Sequence, residues 1–134
     1  MTTESAITAP APTLVPEFTM TASLKPPVEF GAGPFGTRIF FEAADGRAEG
    51  ARFNADVLTG GGDWALVGPD GLARLDVRVQ FRTDDGALVY AQYPGVLELN
   101  EAVMTALGTG GSTQFSDQYF RTTPRFETGD ERYA

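Results

Sequence analysis

The stretch from Leu75 to Arg82 alternates between apolar and polar side chains, and several of the polar positions are ionisable. This period of two predicts a β-strand with one apolar face and one polar face. Asp76, Arg78 and Gln80 share the polar face. If the apolar face packs the core, this is an ordinary sheet strand. If the polar face lines an interior cavity, its carboxylate and guanidinium belong to a binding site, and the pattern leaves both possibilities open.

Composition limits the acid–base chemistry that the chain can perform. It has neither histidine nor cysteine, which excludes a Ser-His-Asp triad, a thiolate nucleophile and zinc sites built from His or Cys. Proton transfer would therefore use Asp, Glu, Tyr, Lys or Arg, with pKa values shifted by burial. No group of Asp and Glu has the spacing of a calcium loop. We expect neither a metal nor another cofactor.

Asp63 and the single tryptophan, Trp64, follow three glycines at a predicted tight corner. Two interpretations stay open. Asp63 caps the turn while Trp64 covers apolar neighbours, or Trp64 forms an apolar wall that raises the pKa of Asp63 by desolvation, as a general base requires. Tyr90, Tyr93 and Tyr119 are candidate hydrogen-bond donors to a developing oxyanion, although a tyrosine in a strand is more often half-buried packing.

The charge balance and the chain start bear on partners and location. The net charge of -8 argues against nucleic acid and anionic membrane surfaces as partners. No apolar run approaches the roughly 20 residues that span a bilayer. Residues 1–11 lack the basic and apolar regions of a signal peptide. We expect a cytoplasmic protein whose partner is a small-molecule substrate.

Turn residues recur at short intervals and predict many short strands. The predicted strands are Leu14–Leu24, Thr37–Ala43, Arg47–Val57, Leu72–Arg82, Ala87–Tyr93 and Gln118–Phe126. One exception is a short helix over Asn100–Leu107, with Asn100 as N-cap and Gly108 after its end. Residues 1–13 predict a disordered arm, and residues 14–134 a single domain. This pattern is typical of an all-β barrel or sandwich.

Several segments of this chain have the order and spacing of segments in a known protein family. They are Gly60–Trp64, Leu75–Arg78, Asp85–Ala87 and Tyr119–Glu127. Together they resemble the domain-of-unknown-function family 3237, also called UPF0311, over about Leu14 to Tyr133. The resemblance implies a small antiparallel β-barrel of about eight strands, lipocalin-like in build, with one short inserted helix. Members tend to sit among genes for aromatic breakdown or natural-product assembly.

Two positions depart from the family pattern. The family has two adjacent glycines where this chain has Ala44-Asp45-Gly46. It also continues with a further strand after the position of Tyr133-Ala134. A missing strand would leave a sheet edge exposed, so we expect either a truncated sequence or a partner at that edge, for example a second copy.

The resemblance also implies site residues. The family's recurrent polar positions fall at Arg38, Asp63, Asp76, Arg78 and Arg121. We expect these side chains to converge inside the barrel, where the arginines would hold a carboxylate, phenolate or enolate. The alternative is that they form structural ion pairs or solvated surface charges.

The leading expectation is a cofactor-independent enzyme of the isomerase, cyclase or hydratase type. It would act by proton transfer on a small aromatic or polyketide-like molecule bound in the barrel lumen. Asp63 or Asp76 would serve as acid or base, Tyr119 as an auxiliary donor and Trp64 as an apolar wall. The alternative is a non-catalytic carrier, which needs the same lumen but no carboxylate at its centre.

Overall fold

The computed structural model describes residues 9–134, which form one nine-stranded antiparallel sheet and one α-helix. The strands are β1 (Phe18–Leu24), β2 (Val28–Gly33), β3 (Gly36–Gly50), β4 (Ala55–Val57), β5 (Gly62–Val67), β6 (Leu72–Thr83), β7 (Leu88–Glu98), β8 (Phe120–Thr122) and β9 (Arg125–Glu127). The helix is α1 (Glu101–Thr109), and short 3₁₀ turns cover Phe115–Asp117 and Glu131–Tyr133. The predicted all-β class with one short helix is confirmed. Residues 1–8 of the predicted arm lie outside the described residues, and 9–17 form neither helix nor strand.

Two long strands, β3 and β6, organise the sheet. The first half of β3 pairs with β2 and β5, and its second half pairs with β1 and β4. Strand β6 pairs with β4 and β5 on one side and along its whole length with β7 on the other. The short strands β8 and β9 follow on the far side of β7. The sheet thus places β1 and β9 at opposite ends of its strand order.

The sheet curls so that these two ends approach each other. The ring of Phe18 in β1 lies 6.1 Å from that of Phe126 in β9, in an edge-on arrangement. Strands β1 and β2 form one end of the sheet, and β8 and β9 form the other. Among the described residues, side chains of the two ends are in contact, but their backbones do not pair. The fold is therefore barrel-like, and the face turned towards the enclosed side is called the concave face.

The apolar side chains of β6 form the concave face, and its polar side chains form the outward face. Val77, Val79 and Phe81 are buried, whereas Asp76 and Arg78 are exposed. The expectation that the polar face of this strand lines the interior is therefore wrong. Burying a ladder of guanidinium and carboxylate groups costs their hydration, while the alternate positions gain free energy by burying Val, Leu and Phe.

The gap predicted between the strands Thr37–Ala43 and Arg47–Val57 is instead part of strand β3, which runs through Asp45 and Gly46. A side chain at Gly46 would meet the backbone carbonyl of Thr21 and the Cα of Ala22 in neighbouring β1. The glycine is therefore needed for the close approach of two strands and not for a reversal. The pairing of β1 with β3 shifts register between Ser23 and Leu24, which absorbs the irregularity as a bulge.

The helix begins where the sequence predicts and ends later. Asn100 caps it by accepting a hydrogen bond from the backbone N–H of Val103 at 3.0 Å. Its C-cap is Gly110, in the left-handed conformation with φ of 70°, so the predicted stop at Gly108 is wrong. Val103 is buried. No helix in the described part of the chain is long and apolar enough to cross a membrane.

The last predicted strand, Gln118–Phe126, is divided into β8 and β9. Pro124 lies between them and has no N–H for a ladder hydrogen bond. Both short strands pair with the same neighbour, β7. They form one interrupted edge of the sheet.

Candidate functional site

Asp63 lies on the concave face, in a row of side chains that crosses four strands. In the sheet register Phe41 of β3 is opposite Asp63 of β5, and Asp63 is opposite Val77 of β6. Val77 is in turn opposite Tyr93 of β7. Directly opposed residues of an antiparallel pair project to the same face. A carboxylate and a phenol therefore flank a valine on the face that otherwise holds the core.

The surroundings of Asp63 are apolar and small. The concave face next to this row carries Ala65, Ala73 and Leu75, which are buried. Phe41 and Tyr93 pack against the same group and are half-buried. We call Phe41, Asp63, Val77 and Tyr93, with Ala65 and Leu75, the Asp63 cluster. The alanines and the half-buried aromatic rings thus surround the Asp63 carboxyl with apolar groups.

A break in the ladder between β5 and β6 fixes the orientation of Asp63. The two strands pair at Asp63 and again at Leu66, and the pairing skips Trp64 and Ala65 between them. At this gap Asp63 Oδ1 accepts a hydrogen bond from the backbone N–H of Asp76 at 3.0 Å. The carbonyl of Trp64 accepts one from Arg38 Nη1 at 2.8 Å. Side chains thus satisfy backbone groups that an unbroken ladder would pair with each other.

Burial raises the pKa of the Asp63 carboxyl above its ordinary value. The hydrogen bond from the Asp76 backbone opposes this rise, and the nearby negative charge of Asp76 adds to it. Burial also raises the pKa of Tyr93, and the charge of Asp63 adds to that rise. Asp63 therefore holds a proton more tightly than a solvated aspartate, while Tyr93 stays a neutral hydrogen-bond donor.

The sheet register sets the distance between the Asp63 carboxyl and the Tyr93 phenol. Asp63 and Tyr93 are two strands apart, which places their backbones about 10 Å from each other. Val77 is the residue between them. This arrangement can supply an acid or base together with an oxyanion donor.

The other residues expected at the site are on the outward face. Asp76 and Arg78 are exposed there on β6. Trp64 is 36% exposed, and its indole stacks on Phe40 with ring centroids 4.5 Å apart. Arg38 is opposite Leu66, in the outward row that contains Arg74 of β6. The structure therefore separates Asp63 from Arg38, Trp64, Asp76 and Arg78, which the sequence predicted to converge with it.

Tyr119 and Arg121 form a separate group at the edge of the sheet. The guanidinium of Arg121 lies 4.9 Å from the ring centroid of Phe115 and 5.0 Å from that of Tyr119. Arg121 belongs to β8, three strands away from β5 in the sheet order. Tyr93, not Tyr119, is the tyrosine in the row of Asp63. The sequence could have indicated this, because Tyr93 is two residues from the buried Ala91 in the same strand and therefore projects to the same face.

The carboxylates do not form a metal centre. In the part of the chain that the structure describes, no group of three or more Asp, Glu, His or Cys side chains could hold an ion. A second carboxylate, that of Asp76, is close enough to Asp63 to influence the pKa of Asp63.

The sequence matches a family model over residues 12–134, described as a protein of unknown function, DUF3237. The chain belongs to the DUF3237 family. A UPF0311 protein of Clostridium acetobutylicum is 33% identical over 117 residues, covering 87% of this chain and 74% of the relative. A UPF0311 protein of Rhodopseudomonas palustris is 33% identical over 116 residues, covering 87% and 76%. The resemblance seen in the sequence is therefore confirmed.

Solved structures of similar proteins share the architecture. A conserved protein of unknown function from Rhodopseudomonas palustris has a TM-score of 0.75 at 33% identity, covering 87% of this chain and 76% of that one. A protein from Acinetobacter baumannii, described as β-barrel like, has a TM-score of 0.64 at 27% identity, covering 89% and 81%. These likenesses support the barrel-like arrangement of the DUF3237 sheet.

Proposed function

We propose that this protein is a cofactor-independent enzyme that moves a proton on a small molecule bound against the Asp63 cluster. The observation that carries the proposal is the Asp63 carboxyl itself. It lies half-buried among apolar side chains on the concave face, and burial raises its pKa. A partly buried carboxyl whose pKa is raised is suited to general acid–base catalysis.

The proposed reaction uses Asp63 and Tyr93 in different roles. Asp63 takes a proton from a carbon next to a carbonyl group and returns it to another carbon of the same molecule. Tyr93 donates a hydrogen bond to the oxygen that becomes negative in the intermediate enolate. The reaction is an isomerisation with no net gain or loss of protons. Its electron pair moves within the substrate, so no oxidant or reductant is required.

The charge pattern favours a neutral, mainly apolar substrate. The seven arginines of the strands lie at outward register positions: Arg38, Arg47, Arg74, Arg78, Arg82, Arg121 and Arg125. The concave face of the described sheet therefore offers no guanidinium to a carboxylate or phenolate. An anion beside Asp63 would also repel its charge. An aryl ketone or enone fits better than the anionic ligand that the sequence suggested.

Deuterium exchange tests this proposal with 2-tetralone, a neutral aryl ketone with acidic C–H bonds. The protein in D₂O should accelerate exchange at the α-carbon above the buffer rate, as followed by NMR. Asp63→Asn should lower the enzymatic rate by about a hundredfold or more, the usual contribution of a general base. Tyr93→Phe should lower it less, because the carboxyl remains. Asp45→Asn, an exposed aspartate in β3, is the control for the change in charge.

The sequence left open whether Asp63 or Asp76 is the acid or base, and the variant Asp76→Asn distinguishes the two. Since Asp76 is exposed on the outward face, we expect Asp76→Asn to retain most of the exchange rate. Loss of activity in Asp76→Asn but not in Asp63→Asn would contradict the proposal.

The second candidate function is a non-catalytic carrier that uses the same apolar surface. It is favoured if 2-tetralone raises the melting temperature of the wild type and of Asp63→Asn alike, while neither accelerates exchange. For either function we propose a cytoplasmic location and a second copy of the chain at the sheet edge.

A further inference from the structure

The chain pairs some of its cations with carboxylates and leaves others without such a partner. It has nine arginines and one lysine. Ion pairs involve Lys25, Arg47, Arg52, Arg74 and Arg132. Among the described residues, Arg38, Arg78, Arg82, Arg121 and Arg125 form no ion pair. Of these five, Arg38 donates to the Trp64 carbonyl and Arg121 lies over the rings of Phe115 and Tyr119. Within residues 9–134, Arg78, Arg82 and Arg125 are therefore the ones best placed to meet a charge from outside the chain.

The five arginines without an ion pair all lie on the outward side of the sheet. Arg78 and Arg82 are exposed on the outward side of β6. Gln92 of β7 is opposite both Arg78 and Arg125 of β9, so these three side chains form one outward row. Arg38 and Arg121 belong to the outward row of Leu66, Arg74 and Val96. Arg38 and Arg121 already donate to backbone carbonyls, so we call the other three, Arg78, Arg82 and Arg125, the arginine face.

The sheet geometry keeps the backbones of these three arginines apart from one another. Arg78 and Arg125 are about 10 Å apart across Gln92, and Arg78 and Arg82 about 13 Å apart along β6. Asp56 is opposite Arg82 but is engaged by Arg47 Nη1 at 3.1 Å. Asp76 and Glu127 are each two residues from one of these arginines on the same side of the sheet. In a protein of net charge -8, positive and negative side chains therefore alternate on this surface.

Aromatic and apolar groups accompany the arginines. Trp64 and Leu88 are exposed on the same face. A groove of about 510 Å³ also opens there, and its walls include Arg82, Leu88, Tyr90 and Glu127. Arginine and aromatic side chains are enriched in protein–protein interfaces, from which lysine is depleted. Guanidinium groups also bind carboxylates with two parallel hydrogen bonds.

We propose that the arginine face docks a partner protein through an acidic segment that also carries aromatic residues. Carboxylates of the segment pair with Arg78, Arg82 and Arg125, and an aromatic side chain occupies the groove beside Leu88. Asp76 and Glu127 lie on the same face. They interrupt the positive charge and so disfavour a uniform polyanion such as nucleic acid, which the net charge also repels.

Fluorescence anisotropy tests the proposal with a labelled random copolymer of glutamate and tyrosine. The intact protein should bind it with an affinity that falls as salt is added, because exposed charges are screened. Arg78→Gln and Arg125→Gln should each weaken binding about fivefold, the effect expected of one exposed charge pair. Both arginines are exposed and have no ion pair, so we expect both variants to keep the wild-type melting temperature.

Arg52→Gln is the matched control. It removes the same charge from an exposed arginine that is paired with Glu17, outside the arginine face. It should change binding less than twofold. An equal loss in Arg52→Gln would show that net charge alone determines binding and would overturn the proposal. Binding of a DNA oligonucleotide as tightly as the copolymer would also overturn it, as would no saturable binding at low salt.

Discussion

The two ends of the concave face are built from different side chains. At one end Phe53 lies 4.9 Å from Phe18 and 5.3 Å from Phe81, and Tyr133 packs edge-on against Phe53 at 6.0 Å. We call these four residues, with Phe126, the aromatic cluster. At the other end the Asp63 cluster combines a carboxyl with one alanine, a valine, a leucine and two half-buried aromatic side chains. The same face thus changes from close aromatic packing to an ionisable apolar surface.

This difference separates stability from function within one sheet. Aromatic pairs in edge-on contact stabilise a fold by about 0.5–1.5 kcal/mol beyond the burial of their area. A half-buried carboxyl with a raised pKa works against stability when it is charged. A domain can retain such a group when other regions supply enough stability. The aromatic cluster can provide that stability here, because its rings connect β1, β6, β9 and the C-terminal turn.

The largest expected effect is on stability, from truncating the centre of the aromatic cluster. Phe81 is 2% exposed and contacts the rings of both Phe18 and Phe53. Phe81→Ala should lower the free energy of unfolding by about 3–5 kcal/mol. Leu75→Ala, in the Asp63 cluster, should cost about 2 kcal/mol, the lower end for a buried leucine, because neighbouring groups are already part-exposed. Urea denaturation measures both values, and an equal cost would remove the distinction between the two ends.

The sequence predicted the strands better than it predicted their sides. The alternation from Leu75 to Arg82 is a local property, so strand β6 was recognised to within one residue. Which face is buried depends on the partner strands: Val77 is covered because the whole sheet curls over it. Arg78 shares its face with Arg125, which is 47 positions later in the chain. Such long-range pairing leaves no periodic signal in either segment.

The family resemblance located Asp63 but grouped it with residues of the opposite face. Recurrent polar positions mark importance and do not state the direction of a side chain. Asp63 and Trp64 are adjacent in β5 and therefore project to opposite faces. The alternation of side chains along a strand could therefore have assigned Asp63 and Trp64 to different faces from the sequence alone. The break in the β5–β6 ladder, where Arg38 bonds to the Trp64 carbonyl, depends on tertiary contacts and is not visible in the sequence.

A moderate effect is expected when Asp63 loses its charge. A carboxyl whose pKa is higher in the folded state than in the unfolded state stabilises the fold only while protonated. That contribution is complete below the unfolded pKa and is lost as pH rises through the folded pKa. Because burial raises the pKa of Asp63, Asp63→Asn should increase stability at pH 7 by on the order of 1 kcal/mol. The gain should vanish in acid, where both forms are neutral.

Thermal melts of Asp63→Asn and the wild type across pH 3 to 7 measure this effect. Asp45→Asn is the control, since Asp45 is exposed in β3 and should change the melting temperature little at any pH. Destabilisation of Asp63→Asn at pH 7 would show that the Asp76 backbone N–H needs a charged acceptor, which the amide oxygen of asparagine does not replace. Asp63 would then be a structural residue.

The smallest expected effect tests whether the Asp63 cluster is confined to the concave face. Trp64 is the single tryptophan, and its ring stacks on Phe40 on the outward face although its neighbour Asp63 points the other way. Its fluorescence therefore reports on the arginine face. Binding of the glutamate–tyrosine copolymer should shift the tryptophan emission maximum, whereas saturating 2-tetralone should leave it unchanged. An equal shift with 2-tetralone would mean that Asp63 and Trp64 contact one ligand, as the sequence suggested, and that the functional end spans both faces.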